Sequence, residues 1–204
     1  PWGNGRPGWH LECSVMIHEI FKGQTLDIHG GGLDLLFPHH ENECNQCSAF
    51  GQKQLANIWM HNQMLNMGNQ KMSKSLGNVQ TGRDFISTHS GEVLKFIILS
   101  HHYRSIIDFS PKQIEVLTNQ LAKIYQTLRK AKLSIQSPDN KHFDNLFLKS
   151  QEALQDDFNT PVVFSYIYEA ITEFNKNPKL ASSLIKFLQH DLGALFSLFN
   201  EDPI

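Results

Sequence analysis

Lys71-Met72-Ser73-Lys74-Ser75, running on into Leu76-Gly77-Asn78, places two ammonium groups and two hydroxyls around a turn. Lysine heads are compact, mobile charges that can follow the negative charge growing on a leaving polyphosphate, and Ser73, Ser75 and the backbone near Gly77 add hydrogen-bond donors. Such a loop can close over a triphosphate, with Lys74 and Lys71 as the catalytic candidates. A solvated basic turn is the other use of the same residues. Farther upstream, His39 and Glu43 are four residues apart, which puts an imidazole and a carboxylate on one face of a helix where they can grip one ion or form an ordinary surface pair. Cys44-Asn45-Gln46-Cys47 is a competing metal or dithiol candidate. Cys47 shares the face of His39 but sits roughly 12 Å along the axis, too far to converge with it, so Cys44 and Cys47 read as buried free thiols.

These groups need a scaffold, and the sequence outlines one. Leu26-Asp27-Ile28-His29, ahead of three glycines, reads as a strand ending at a loop, and Asn57-Ile58-Trp59-Met60-His61 reads as a second strand. A helix lies between them, with Pro38 in its first turn and Glu41 and Glu43 at its positive end. Glycine loops after strands are where open α/β sheets bind ligands, although a plain connection fits the Gly30–Asp34 stretch equally well. After the lysine loop the pattern turns helical. Ile114, Leu117, Leu121, Ile124, Leu128 and Ala131 form the seam of a long helix. A second helix runs over 144–156, and Thr160-Pro161 opens a third with a stripe of Phe164, Ile167, Tyr168, Ile171 and Phe174. Asn177-Pro178 ends that helix, and Leu184, Phe187, Leu188, Leu192, Leu195 and Phe199 mark a fourth, completing an antiparallel bundle.

The 204 residues carry a formal charge of -2, so the chain has no global basic field and any RNA contact must come from a local patch. On the long helix Lys112, Lys123, Arg129, Lys130 and Lys132 face only Glu115, and Lys123, Arg129 and Lys130 are the candidate RNA contacts. Three cysteines do not make a disulfide framework and suit a reducing compartment. No apolar run reaches membrane-spanning length.

Gly8-Trp9-His10-Leu11-Glu12-Cys13-Ser14, Asp27-Ile28-His29-Gly30-Gly31-Gly32-Leu33-Asp34 and Phe37-Pro38-His39-His40-Glu41-Asn42-Glu43 precede the KMSKS loop. Their words, order and spacing resemble cysteinyl-tRNA synthetases, which are class I aminoacyl-tRNA synthetases. His102-Tyr103-Arg104-Ser105 and Asp156-Asp157-Phe158-Asn159-Thr160-Pro161 extend the likeness over nearly the whole chain. The resemblance implies an α/β fold, the second half of a Rossmann-type catalytic domain over 1–78. A stem-contact connector over 79–110 and an all-α tRNA-binding bundle over 111–204 would follow. It also implies a HIGH-type half ahead of Pro1 and an anticodon-binding domain after Ile204, so that this chain by itself is inactive.

The implied activity joins L-cysteine to tRNA(Cys) through cysteinyl-adenylate formed from ATP. One Zn²⁺ per subunit would be held by Cys13, His39, Glu43 and a cysteine outside this chain, and Mg²⁺ would accompany ATP. By the same resemblance Gly32 and Asp34 contact ribose, and Met72 offers backbone to adenine. Ser73, Lys74 and Ser75 meet the phosphates. Trp9 walls the amino acid pocket, or else packs in the core, and His10, His29 and His40 line the pocket or act as satisfied structural groups. A cytoplasmic monomer is expected. The rival readings are the related cysteine ligase of mycothiol synthesis, which joins cysteine to an amino sugar, and a noncatalytic RNA-binding fragment.

Overall fold

The computed structural model describes residues 3–68, 70–73, 76–77, 79–135 and 140–200. Lys74 and Ser75 lie outside the described residues, as does the side chain of Lys71. The chain divides into two compact units, 1–64 and 65–204, so the boundary read at residue 78 falls inside the second.

The first unit is built on two parallel strands, β1 (Leu26–Gly32) and β2 (Ala56–Asn62). Helix α1 (Trp9–Phe21) precedes them and stops where Lys22 turns left-handed at φ 54°. Helix α2 (Glu41–Ala49) makes the crossover. The expected first turn at Pro38 is corrected. A 3₁₀ turn over Leu33–Leu35 leads into a widened turn over Leu36–His40, and Phe37 is extended at φ -137°, ψ 135°. The regular helix therefore starts at Glu41, where Glu41 and Glu43 fill its first turn and complement its dipole. The strand period of two sends His29 and Gly31 to one face, and the register sets Trp59 and His61 beside them. Ile28 and Ile58 occupy the other face and are exposed.

The second unit opens on a three-stranded sheet ordered β4 (Gln70–Lys71), β3 (Leu65–Met67), β5 (Ile107–Asp108). Helix α3 (Gly82–Thr88) begins in a reciprocal capping box between Thr81 and Asp84, and α4 (Gly91–Leu99) is capped by Ser90. The long seam forms α5 (Pro111–Leu133), with Ser110 as cap and Pro111 in the first turn. Next come α6 (Asp144–Gln155) and α7 (Thr160–Lys176). The fourth expected helix is a composite. It passes from a 3₁₀ turn over Pro178–Leu180 through α8 (Ala181–Ile185) and a widened stretch, Lys186–Leu192, to α9 (Gly193–Phe196). Leu195 is exposed rather than in the stripe, whereas Phe199 is buried beyond the helix end. Phe85, Val93, Phe96 and Ile97 from α3 and α4 share one core with Leu121, Ile124, Leu128, Ile167, Leu184 and Leu188, so segment 79–110 packs as part of the bundle.

Candidate metal centre and imidazole cluster

Helices α1 and α2 bring the first group of candidates together. Ser14 is buried and its Oγ donates to Gln46 Oε1 at 2.7 Å, tying the two helices next to Cys13 and about one turn from Glu43. Cys13, His39 and Glu43 then place their ligand atoms within 4.8 Å of one another. His39 Nε2 is 3.0 Å from Glu43 Oε1, and His29 Nε2 approaches Glu43 Oε2 to 3.0 Å. That second oxygen is nevertheless buried without a hydrogen-bond partner. An imidazole nitrogen and a carboxylate oxygen this close, outside hydrogen-bond geometry, are two electron-pair donors that can share a cation. His29, His40 and Glu43 form a second convergent set. Cys44 and Cys47 join neither; Cys47 is buried, with its Sγ 3.8 Å from Gln52 O, and Cys44 is partly exposed.

Electrostatics points the same way. Burial pushes the Cys13 thiol up, and the neighbouring Glu43 adds to that effect by charge and by hydrogen bonding. Burial also raises Glu43, opposed by its bond from Cys13. Two groups that resist ionising side by side would both be relieved by a divalent cation, and thiolate, imidazole and carboxylate form an acceptable zinc set. The residues present therefore fit the metal. His10 Nδ1 and His39 Nδ1 are 2.8 Å apart. With His39 Nε2 kept as a lone pair toward the centre, His39 Nδ1–H is the donor and His10 the acceptor, which fixes both tautomers.

The imidazoles continue across the sheet face. His40 Nδ1 is 2.8 Å from His61 Nε2, and Trp59 packs edge-on to His29 with ring centroids 4.7 Å apart. Burial, reinforced by His29, His61 and His39, lowers His40 to about 4. His29 is lowered by burial and then by His39 and His61, and His39 by burial and then by His10. These three rings are neutral near pH 7. Leu36, His40, Glu41, Cys44, Trp59 and His61 line a hollow of about 310 Å³ beside them. Trp9 is 55% exposed and stacks on His39 at 4.1 Å between centroids, so it is not a core residue here. Gly31 has a specific reason: a Cβ would stand 2.8 Å from His40 Cε1. At Gly32 the crowding atom is Asp34 Oδ1, 2.5 Å from a built Cβ, so the proposed ribose pair is in close contact. Sequence reasoning missed His61, whose signal was its odd register with Trp59 in a recognised strand.

In the second unit, Met72 N–H donates to Leu65 O at 3.0 Å, and its side chain borders an apolar hollow with Phe85, Leu94 and Phe109. Leu76 N–H donates to Ser73 O at 3.2 Å, and Gly77 takes φ 65°, a turn that glycine adopts readily. Asp108 was also missed. Its carboxylate accepts from Gly68 N–H at 2.9 Å, Ser110 N–H at 2.9 Å and Ser110 Oγ–H at 2.8 Å, anchoring the β3–β4 turn that leads into Lys71. On α5, Lys112, Lys123 and Lys130 fall along one ridge, but Arg129 is about 100° round from Lys130 and Lys132 about 160°, since each residue turns the helix by about 100°. The five cations therefore do not share a single wet face.

Known proteins share the fold and the sequence of this chain. Residues 1–119 match the family model for the class I (C) tRNA synthetase catalytic domain, and residues 149–200 match the DALR domain. A cysteine–tRNA ligase of Bdellovibrio bacteriovorus is 42% identical over 98% of this chain and 45% of its own length. One from a Caulobacter strain, K31, is 44% identical over 100% of this chain and 46% of its own. The chain thus spans about half the length of the curated relatives it matches. The crystal structure of the ternary complex of Agrobacterium radiobacter K84 agnB2 LeuRS-tRNA-LeuAMS aligns with a TM-score of 0.63 over 82% of this chain and 25% of that one, at 14% identity, a likeness of fold. The catalytic match covers more than half of the residues, and the Rossmann-like unit precedes a DALR helical unit: the chain belongs to the class I (C) tRNA synthetase catalytic-domain family.

Proposed function

We propose that this chain serves in a cysteine–tRNA ligase, which activates L-cysteine with ATP and transfers it to tRNA(Cys). The observation that carries the proposal is the convergence of Cys13, His39 and Glu43, whose ligand atoms lie within 4.8 Å of one another, on a Glu43 carboxylate that is itself buried. The cysteine–tRNA ligases that match the chain end to end support the choice of amino acid. Zinc at that centre, with a fourth ligand outside this chain, supplies an ion tolerant of sulfur that favours the thiolate of a cysteine substrate over a serine hydroxyl. A site built around one polar contact can reject an analogue lacking it by about 10⁴-fold, which removes the need for an editing step.

The chain's own residues have distinct parts. Trp9, stacked on His39, walls the amino acid side, and His39 keeps its tautomer through His10. The neutral imidazoles of His29 and His40 offer donors and acceptors without adding charge beside the substrate ammonium. Gly32 permits close approach of the nucleotide backbone while Asp34 accepts from ribose hydroxyls. Lys71 and Lys74, with Ser73 and Ser75, stabilise charge as pyrophosphate leaves, and Mg²⁺ enters with ATP as part of the substrate. Met72 presents backbone to adenine. The protein acts as a monomer in the cytoplasm.

The test is cysteine-dependent ATP–pyrophosphate exchange by the protein at the length of its relatives, with serine as the competing substrate. Exchange should depend on cysteine, and Lys74→Ala should lower kcat far more than it weakens cysteine binding, because its charge matters as pyrophosphate develops. Exchange supported equally by serine, or charging of an amino sugar in place of tRNA, would overturn the proposal. Unchanged exchange in Lys74→Ala would remove that lysine from the chemistry.

A further inference from the structure

The hairpin that leads into the lysine loop is too short to hold itself. Strands β3 and β4 pair only through Asn66 with Lys71 and Met67 with Gln70, and an isolated two-stranded hairpin is marginally stable at best in water. Gly68 turns between them at φ 62°. The position of the Lys71 backbone is therefore decided by what grips the hairpin from outside.

At the loop end the grip is Met72, through its bond to Leu65 O and its side chain at the apolar hollow. At the turn end it is Asp108, which comes from 40 residues along the chain. One oxygen, Oδ1, accepts from Gly68 N–H and from Ser110 N–H, each at 2.9 Å, and Oδ2 accepts from Ser110 Oγ–H at 2.8 Å. The Ser110 hydroxyl, and then the backbone N–H groups of Ser110 and Gly68, hold the Asp108 carboxyl below the usual carboxylate range against the opposing effect of desolvation. The acceptor is thus ionised near neutral pH, which strengthens all three bonds. Ser110 is also the cap of α5, so a single carboxylate ties the turn of the hairpin to the long helix of the bundle. Next to it Phe109 is buried, and its N–H donates to Asn66 O at 2.7 Å.

The register aligns the two ends of this connection. Asn66 pairs on one side with Lys71 and on the other with Asp108. With about 4.8 Å between neighbouring strands, the Asp108 and Lys71 backbones stand about 10 Å apart, so the path between them runs through the middle strand and the Gly68 turn. We infer that Asp108 is a positioning residue for adenylate formation: by holding the Gly68 turn it sets where the Lys71 backbone stands. The inference rests on the aminoacylation proposal for the role of Lys71, and goes beyond it in giving a part to a side chain of β5, outside the lysine motif.

The experiment measures kcat and KM of cysteine-dependent ATP–pyrophosphate exchange for the protein at the length of its relatives. A shift of about 1 Å in a reacting group can cost about 100-fold, so Asp108→Ala should lower kcat by about 10- to 100-fold and leave the KM for cysteine within about twofold. Asp108→Asn keeps an oxygen for both N–H groups, and the Ser110 hydroxyl can turn to accept from the new amide, so kcat should stay within about threefold of the parent. In a Lys71→Ala background, Asp108→Ala should cost less than about threefold more, because the group it positions is gone. Ser90→Ala removes the cap of α4 without touching the hairpin and should leave kcat unchanged, with all variants assayed where circular dichroism shows them folded. Asp108→Ser, whose hydroxyl stops one bond short of the carboxylate oxygens, repeats the test if the alanine variant does not fold. Parental kcat in Asp108→Ala, an equal loss in Asp108→Asn, or fully independent losses in the double variant would overturn the inference while the aminoacylation proposal stands. A parent without cysteine-dependent pyrophosphate exchange would overturn both.

Discussion

Gly31→Ala adds one methyl group at the point where β1 passes under the imidazole cluster. The new Cβ would meet His40 Cε1 at 2.8 Å, Leu35 Cδ1 at 3.0 Å and His40 Nε2 at 3.1 Å. Leu35 can swing its terminal methyl aside. His40 has less room, because the ring is 3% exposed and its Nδ1 is 2.8 Å from His61 Nε2. Gly31 is not among the positive-φ glycines, so alanine suits the backbone and would by itself stabilise by about 0.4–1 kcal/mol through the unfolded chain. Against that stand about 1–3 kcal/mol for overpacking and about 1 kcal/mol for a disturbed His40–His61 bond. The balance is a destabilisation of about 1–3 kcal/mol. Urea unfolding of Gly31→Ala should be measured in the parent and in a His40→Ala background. Removing the ring should recover most of the loss. A neutral or stabilising Gly31→Ala, or the same loss in both backgrounds, would refute the steric account.

Asp157 is held at about 2, first by Arg104, whose Nε–H donates at 2.5 Å, and then by Tyr103. Its folded value lies below the unfolded one near 3.9, so its contribution is complete above about pH 4 and fades as pH falls through about 2. Asp157→Asn should therefore be less stable than the parent at pH 5, and acid titration of both should bring their unfolding midpoints together near pH 2; parallel profiles would discount the clamp. Asp108→Ala leaves Gly68 N–H without its acceptor, so hydrogen exchange at that amide should quicken and stability should fall by about 1–3 kcal/mol. Unchanged exchange there would mean that the turn holds itself.

The elements legible in the sequence were those whose pattern is long enough to repeat. The α5 seam, from Ile114 through Leu128 to Ala131, is buried along its length, and Thr160-Pro161 opens α7 as a cap and first-turn pair should. Parallel β1 and β2 were visible because each carries more than one period of alternation. Strands of two or three residues, such as Gln70–Lys71 and Ile107–Asp108, contain too little pattern, and the pairing of Ile107–Asp108 with Leu65–Asn66 spans a long stretch of chain. The widened stretch Lys186–Leu192 shifts the helical phase, and Leu195 consequently leaves the buried stripe that spacing assigned to it. His39 and Glu43 were legible through their spacing, whereas Cys13 came through resemblance alone. The His10–His39 contact and the anchors at Asp108 and Asp157 are long-range polar pairings with no local signature.

The two units differ in what fills their interiors, and this difference predicts separate responses to metal. Among the described residues of 3–64, the buried apolar side chains are Leu26, Cys47, Leu55 and Ala56, while Ser14, His39, His40 and Glu43 are buried with them. The second unit instead buries a continuous apolar core from Phe85 to Phe199. Apolar burial thus stabilises the second unit far more than the first, whose interior is its candidate site. A ligand that binds only the folded first unit should raise its stability by about 2.7 kcal/mol at a hundredfold excess over its dissociation constant. Zinc should move an early unfolding transition reported by Trp9 and Trp59 and leave the transition of the helical unit, followed by far-ultraviolet circular dichroism, in place. Cys13→Ser should abolish that shift and lower zinc content by metal analysis. Full zinc occupancy in Cys13→Ser, or a zinc shift of equal size in both transitions, would place the metal elsewhere.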